Sequence, residues 1–263
     1  MCFFPSATFY DPGESTGVSV KELNTIKRFR FIYRAWRFRW LIDRDEIAFL
    51  LAHLKKGQCG VDIGAYKGAY AYWMWKAVGR EGQVFAFEPQ RELAEYLLVP
   101  GWQQVTVENL ALSSRAGQSV LTVPGEGASP GATLERDLHP GQTHTVPVTT
   151  LDIYFGQQPH LPISLIKCDV EGHELAVFKG GEGILQSQRP ILMFECEQRH
   201  HLHDSVHDVF TYLEGQGYNG FFYLKGKLHS IGEFNIAQHQ GRSAVYYINN
   251  FIFLPSESGD LFS

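Results

Sequence analysis

Residues 61–68 read VDIGAYKG. An apolar run ends in Asp62 and Ile63, and Gly64 and Gly68 follow at a separation of four residues. Glycines at a strand-to-helix turn let backbone approach a bound molecule where a Cβ would intrude, and Asp62 adds a carboxylate at the strand end. A nucleotide-type ligand is the expectation. The dinucleotide fingerprint Gly-x-Gly-x-x-Gly is not met, because Tyr66 stands where its second glycine would fall. No Gly-Lys-Ser/Thr phosphate loop occurs either.

Outward from this turn, short apolar runs alternate with helical stretches, the pattern of an α/β fold whose parallel sheet is covered on both faces. We expect strands at 58–63, 83–87, 104–108, 163–168, 189–195, 217–224 and 244–253. The segment YNGFFYLKGKLHSI reads as a hairpin leading into the last of them. Residues 119–123 and 143–148 read as strands flanking a Gly/Pro-rich insert, 124–142, a candidate lid or substrate-recognition loop. The 263 residues, 44% hydrophobic, suit one main domain, 45–263, preceded by an arm and a basic aromatic helix, 1–44.

A net charge of −5 argues against a nucleic-acid partner. The helix is the exception: Lys27, Arg28, Arg30, Arg34, Arg37 and Arg39 alternate with Phe29, Phe31, Tyr33, Trp36, Phe38 and Trp40. Phe29, Ile32, Tyr33, Trp36 and Trp40 recur at helical spacing, and we expect that stripe to pack on the sheet. An anionic membrane surface and an acidic substrate are its other two readings. A second helix is expected over 44–54. Cys2, Cys59, Cys168 and Cys196 show no paired spacing and read as buried reduced thiols. No apolar stretch reaches the ~18 residues of a membrane span and no leader pattern is present, so a cytoplasmic protein is expected.

Glu88 closes the second strand, 26 residues after Asp62. In a doubly wound sheet such a carboxylate lies beside the first turn and accepts hydrogen bonds from ribose hydroxyls. Without a phosphate cradle, a nucleoside lacking phosphates fits best, and S-adenosylmethionine is such a ligand. Four blocks in order, VDIGAYKGAY, VFAFEPQ, Asn109-x-Ala111-Leu112, and IKCDVEGHE with Lys167, Asp169, Glu171, Gly172 and Glu174, resemble the FkbM family of S-adenosylmethionine-dependent methyltransferases over residues 45–253. The last block distinguishes that family from other class I methyltransferases.

The resemblance implies a Rossmann-like, seven-stranded, mostly parallel sheet with a reversed final hairpin. It implies O-methylation of a hydroxyl on a sugar, glycan or secondary metabolite. It assigns Asp62, Gly64, Ala65, Tyr66 and Gly68 to the methionine-moiety turn, Glu88 to the ribose, and Asn109 and Ala111 to the adenine. The family commonly carries Asn where Tyr66 stands and an apolar residue where Lys67 stands.

Asp169, Glu171 and Glu174 follow the fourth strand, at the edge where open sheets bind ligands. A hydroxyl acceptor must lose a proton, so we rank Asp169 first as general base, then Glu171 and His173. The competing reading makes Glu171 a helix cap and Glu174 a first-turn acid. Asp169, Glu195, Glu197, His200 and His201 match no fixed ligand template, and no metal is expected. A non-catalytic nucleoside-binding scaffold and an NAD-dependent enzyme are the alternative functions.

Overall fold

The computed structural model describes residues 20–99, 101–135, 140–157, 160–201 and 205–258. Cys2, part of the 124–142 insert and residues 1–19 of the arm expected over 1–23 therefore lie outside the described residues, and 20–23 belong to a helix instead. The central sheet is built on β1 (Cys59–Ile63), β2 (Gln83–Phe87), β3 (Val105–Glu108), β7 (Ile163–Cys168) and β8 (Ile191–Glu195), all mutually parallel. β9 (Tyr218–Leu224), β10 (Lys227–Ser230) and β11 (Asn250–Pro255) complete the order β10-β9-β11-β8-β7-β1-β2-β3, with β11 antiparallel to both its neighbours. This is the expected seven-stranded sheet, and β10 adds an eighth strand at its edge. The β9–β10 hairpin turns at Lys225 and Gly226, both at positive φ, as a tight two-residue turn requires.

Side chains alternate between two cores, as strands buried on both faces demand. Val61, Ile63, Phe85 and Phe87 face one core with α5 (Leu151–Gly156), α6 (Glu174–Lys179), α7 (Glu182–Ser187) and α8 (Val206–Gly215). Val84, Ala86, Leu165 and Met193 face the other, with α1 (Val20–Arg37), α2 (Arg44–His53), α3 (Ala69–Val78) and α4 (Arg91–Leu97). A second sheet, β4 (Ala111–Leu112), β5 (Gly117–Val123) and β6 (Gln142–Thr149), follows β3 along the chain, and a short α9 (Ile236–His239) precedes the last strand. Cys59, Cys168 and Cys196 are buried.

Two expectations need correction. The last strand begins at Asn250, not 244: its ladder with β8 starts at Asn250 opposite Glu195, a single further backbone bond joins Cys196 N to the Asn249 carbonyl at 2.8 Å, and Val245, Tyr246 and Tyr247 before it are exposed. The helix stripe is also different. Phe29 is 74% exposed and Tyr33 66%, with Trp36 and Trp40 exposed as well, whereas Phe31 and Ala35 are buried. Phe31 enters an aromatic cluster with Tyr72 and Trp102, and Trp73 Nε1 donates to the Ala35 carbonyl at 2.8 Å. The helix carries two apolar lines, and the aromatic surface of α3 selects the one that fits it.

Candidate active site

At the carboxyl edge of β1 the VDIGAYKG turn is held by three backbone hydrogen bonds. Gly64 N and Ala65 N both donate to the Phe87 carbonyl at 3.0 Å, and Asp169 N donates to the Ile63 carbonyl at 2.9 Å. Gly64 has φ +74, and a Cβ there would stand under 3.0 Å from the carbonyl oxygen of Asp169. Glycine is required by close approach as well as by conformation. Gly68, at φ +73, is pressed by Leu97 and Phe31 and lines neither cavity of the site. Gly68 has no side chain to cap α3, and Asp62 Oδ2 takes that part by accepting from Ala71 N at 2.8 Å. Tyr66 has φ +47, a conformation asparagine tolerates better, and its ring carries Lys67 Nζ at 4.8 Å and Arg34 at 5.9 Å.

Glu88 is buried, and its two oxygens accept from Tyr66 N and Gln90 N, each at 2.8 Å. It lines a cavity of about 330 Å³ together with Gly64, Tyr66, Ala111, Asp169, Glu171 and His173. A smaller cavity of about 60 Å³, lined by Asp62, Ala65, Tyr66, Lys167 and Asp169, adjoins it. Asn109 lies elsewhere: its amide donates to the carbonyls of Glu88 and Pro89 at 2.9 and 3.0 Å, and it lines neither of these cavities. From the insert, Pro130, Ala132 and Leu134 line the larger cavity, and Ser129 is tied to Gln90 by two hydrogen bonds.

The candidate bases differ in their engagements. Glu171, at φ +51, pairs with His200 Nδ1 at 2.7 Å, and does not cap α6. His173 sits between Glu135, 2.5 Å from Nδ1, and Ser113, 2.8 Å from Nε2. The Asp169 carboxylate makes no hydrogen bond among the described residues. Burial pushes Asp169 up to about 7, against the attraction of Lys167 and with Glu171 and Glu174 adding to the rise. Burial also pushes its neighbour Glu195 up, with Asp169 adding repulsion.

Sequence reasoning missed part of the wall. Phe38, Ile42 and Asp43 line the larger cavity from the segment ahead of the expected domain, where α1 runs into a single π-helical stretch, Phe38–Ile42. Such turns recur at functional sites. Asp43 accepts from Tyr70 Oη at 3.0 Å. Lys167, buried under the turn with its Nζ 5.0 Å from the centre of the Tyr70 ring, is the cation amid these acids.

These buried carboxylates make the empty fold pH-sensitive. Burial raises Asp62 to about 6 and Glu88 from 4.5 to about 7. For Glu88 alone this corresponds to about 3 kcal/mol. A folded-state pKa above the unfolded one stabilises below the unfolded value and loses that contribution as pH rises through the folded value. The Tm of the ligand-free protein is therefore expected to fall between about pH 4 and 7, and less steeply in Glu88→Gln. A Tm that climbs over that range contradicts this electrostatic account.

A parallel sheet with a reversed terminal strand, a glycine turn after β1 and an acid closing β2 define a class I S-adenosylmethionine-dependent methyltransferase domain. Residues 62–219 match the model of the methyltransferase FkbM domain, and the chain belongs to that family. No curated protein matches the chain. Among solved structures it is similar to a methyltransferase FkbM from Methylobacillus flagellatus KT, with 14% identity and a TM-score of 0.47 over 86% of this chain and 54% of that one. A SAM-dependent O-methyltransferase from Thermotoga maritima has 14% identity and a TM-score of 0.44 over 82% and 65%. A SAM-dependent methyltransferase from Aquifex aeolicus has 16% identity and a TM-score of 0.42 over 83% and 92%. The chain thus spans about half the length of the first of these.

Proposed function

We propose that this domain transfers a methyl group from S-adenosylmethionine to a hydroxyl oxygen of a sugar, glycan or secondary metabolite. The observation that carries the reading is the joint presence of Glu88 and Asp169 in one cavity, on either side of the Gly64 turn. The residues suit the cofactor's chemistry: Asp43, Asp62, Glu88, Asp169 and Glu195 surround a small space with Lys167 as the buried counter-charge, and a sulfonium cation is stabilised there. Glu88 would hold the ribose, the turn at 62–66 the methionine moiety, and Ala111 the adenine face. When bound, S-adenosylmethionine supplies a methyl group activated by its positive sulfur.

The chain's own contribution is orientation and proton transfer. Asp169 takes the hydroxyl proton as the acceptor oxygen forms its bond to carbon, and Glu171 and His173, each already paired, shape the acceptor side. An acceptor bearing acidic groups is favoured by a further cavity of about 300 Å³, lined by Arg30, Tyr33, Arg34, Arg37, Lys67 and Tyr96 and containing no acid.

Titration calorimetry with S-adenosylhomocysteine and with NAD tests the cofactor. Binding of the former is expected, weakened about 100-fold in Glu88→Ala by loss of two charge-assisted hydrogen bonds. Binding of NAD alone overturns the reading. Radiolabelled methyl transfer to neutral, uronic and phosphorylated sugars tests the acceptor, and label recovered only on nitrogen or as an alkali-labile carboxyl ester rejects methylation of a hydroxyl.

A further inference from the structure

On the α6 side of the sheet, outside the walls of both cavities, three buried side chains from separate segments converge. Glu174 opens α6, Cys196 follows β8, and His201 ends the short turn after it. Their donor atoms all lie within 4.8 Å of one another. Cys196 Sγ stands 3.1 Å from His201 Nε2, which stands 3.6 Å from Glu174 Oε2. Glu174 Oε1 accepts from Gly172 N at 3.1 Å, but Oε2 has no hydrogen-bond partner and no contact with solvent. A carboxylate oxygen buried in that state costs several kcal/mol unless something else satisfies it.

We propose that Glu174, Cys196 and His201 bind a zinc ion. Tetrahedral zinc bonds of about 2.3 Å to sulfur and 2.0–2.2 Å to nitrogen and oxygen set ligand atoms roughly 3.3–3.6 Å apart. The separations of 3.1 and 3.6 Å need shifts of only a few tenths of an ångström. Charge also balances, since one thiolate and one carboxylate neutralise a divalent ion and leave the buried unit without net charge. The donor set selects the metal: thiolate and imidazole suit zinc, whereas magnesium and calcium take oxygen. The fourth position falls to a water.

The ion would act on structure and not on the reacting atoms. It joins the first residue of α6 to the turn after β8, on whose two sides Glu171 and His200 already pair at 2.7 Å. Gly172 presses on the His200 carbonyl so closely that a Cβ would fall under 3.0 Å from it. Zinc would lock together the two loops that hold Glu171 and His173 at the cavity wall.

Elemental analysis of the full chain, freed of any affinity tag and passed through gel filtration, is expected to show about one zinc per molecule as purified or after incubation with zinc sulfate. Replacement by cobalt is expected to give a thiolate-to-metal charge-transfer band that disappears in Cys196→Ser. Glu174→Gln, nearly identical in shape, guards against loss of folding and is expected to weaken zinc at least about tenfold in competition with a chelator. Less than about a tenth of an equivalent of zinc under both conditions, a cobalt band that survives Cys196→Ser, or unchanged zinc affinity in Glu174→Gln overturns the site.

Discussion

Asp169→Asn is expected to reduce turnover by about 10²- to 10⁴-fold while affinity for S-adenosylhomocysteine stays within about twofold. The size is that of a lost general base, and the placement supports the assignment. Asp169 lines both cavities, its carboxylate makes no hydrogen bond among the described residues, and burial holds it at about 7. A base must be deprotonated to act, so kcat/KM of the native enzyme should rise about tenfold per pH unit below about 7 and level off above it. In the asparagine variant that limb should be absent. Removing the Asp169 charge also removes its repulsion of Glu195, so Glu195 and Asp43 can serve Lys167 as counter-charges and the substitution should leave the fold intact. Unchanged turnover, or a pH limb that persists in the variant, assigns the proton transfer to another group.

Gly64→Ala is expected to cost at least about 3 kcal/mol of stability, or to abolish cofactor binding at accessible concentrations. Two causes combine. A residue with a Cβ in the left-handed conformation loses about 1–2 kcal/mol. The new methyl also meets the Asp169 carbonyl, part of the hydrogen-bonded junction between the turns after β1 and β7. Gly57→Ala separates them, because Gly57 has φ +79 but nothing within 4 Å of its would-be Cβ. That variant should lose only the conformational part. Chemical denaturation of the two variants, with calorimetry on the folded fraction, makes the comparison. Equal losses would show that the close approach at Gly64 contributes nothing.

The strands around the site were legible because their surroundings are uniform. Residues 84–87 are buried on both faces and read as an apolar run ended by Glu88, and 163–168 are a mostly apolar stretch, broken only by Ser164 and Lys167, ended by Asp169. The helix at 20–37 was legible as a helix, but its buried face was not. Phe29 and Phe31 are equivalent in any periodic count, and only the hollow between Tyr72 and Trp102 distinguishes them. Asn109 illustrates the same limit: its position in a motif identified it, yet its amide is spent on two backbone carbonyls.

By itself, then, the sequence determined the α/β class, the places of the strands along the chain and the chemistry available at their carboxyl ends, since these follow from local patterns of apolar runs, glycines and terminal acids. Only the tertiary structure decided which of those groups meet. It brought Asp43 from ahead of the expected domain to the cavity wall, drew His173 between Glu135 and Ser113, and left Asp169 as the cavity acid without a hydrogen-bonded partner among the described residues. It also set Cys196 and His201 against Glu174, across the pairing of β7 with β8. Burial supplies the physical reason, because the charge and proton affinity of a carboxylate depend on neighbours that lie far away along the chain.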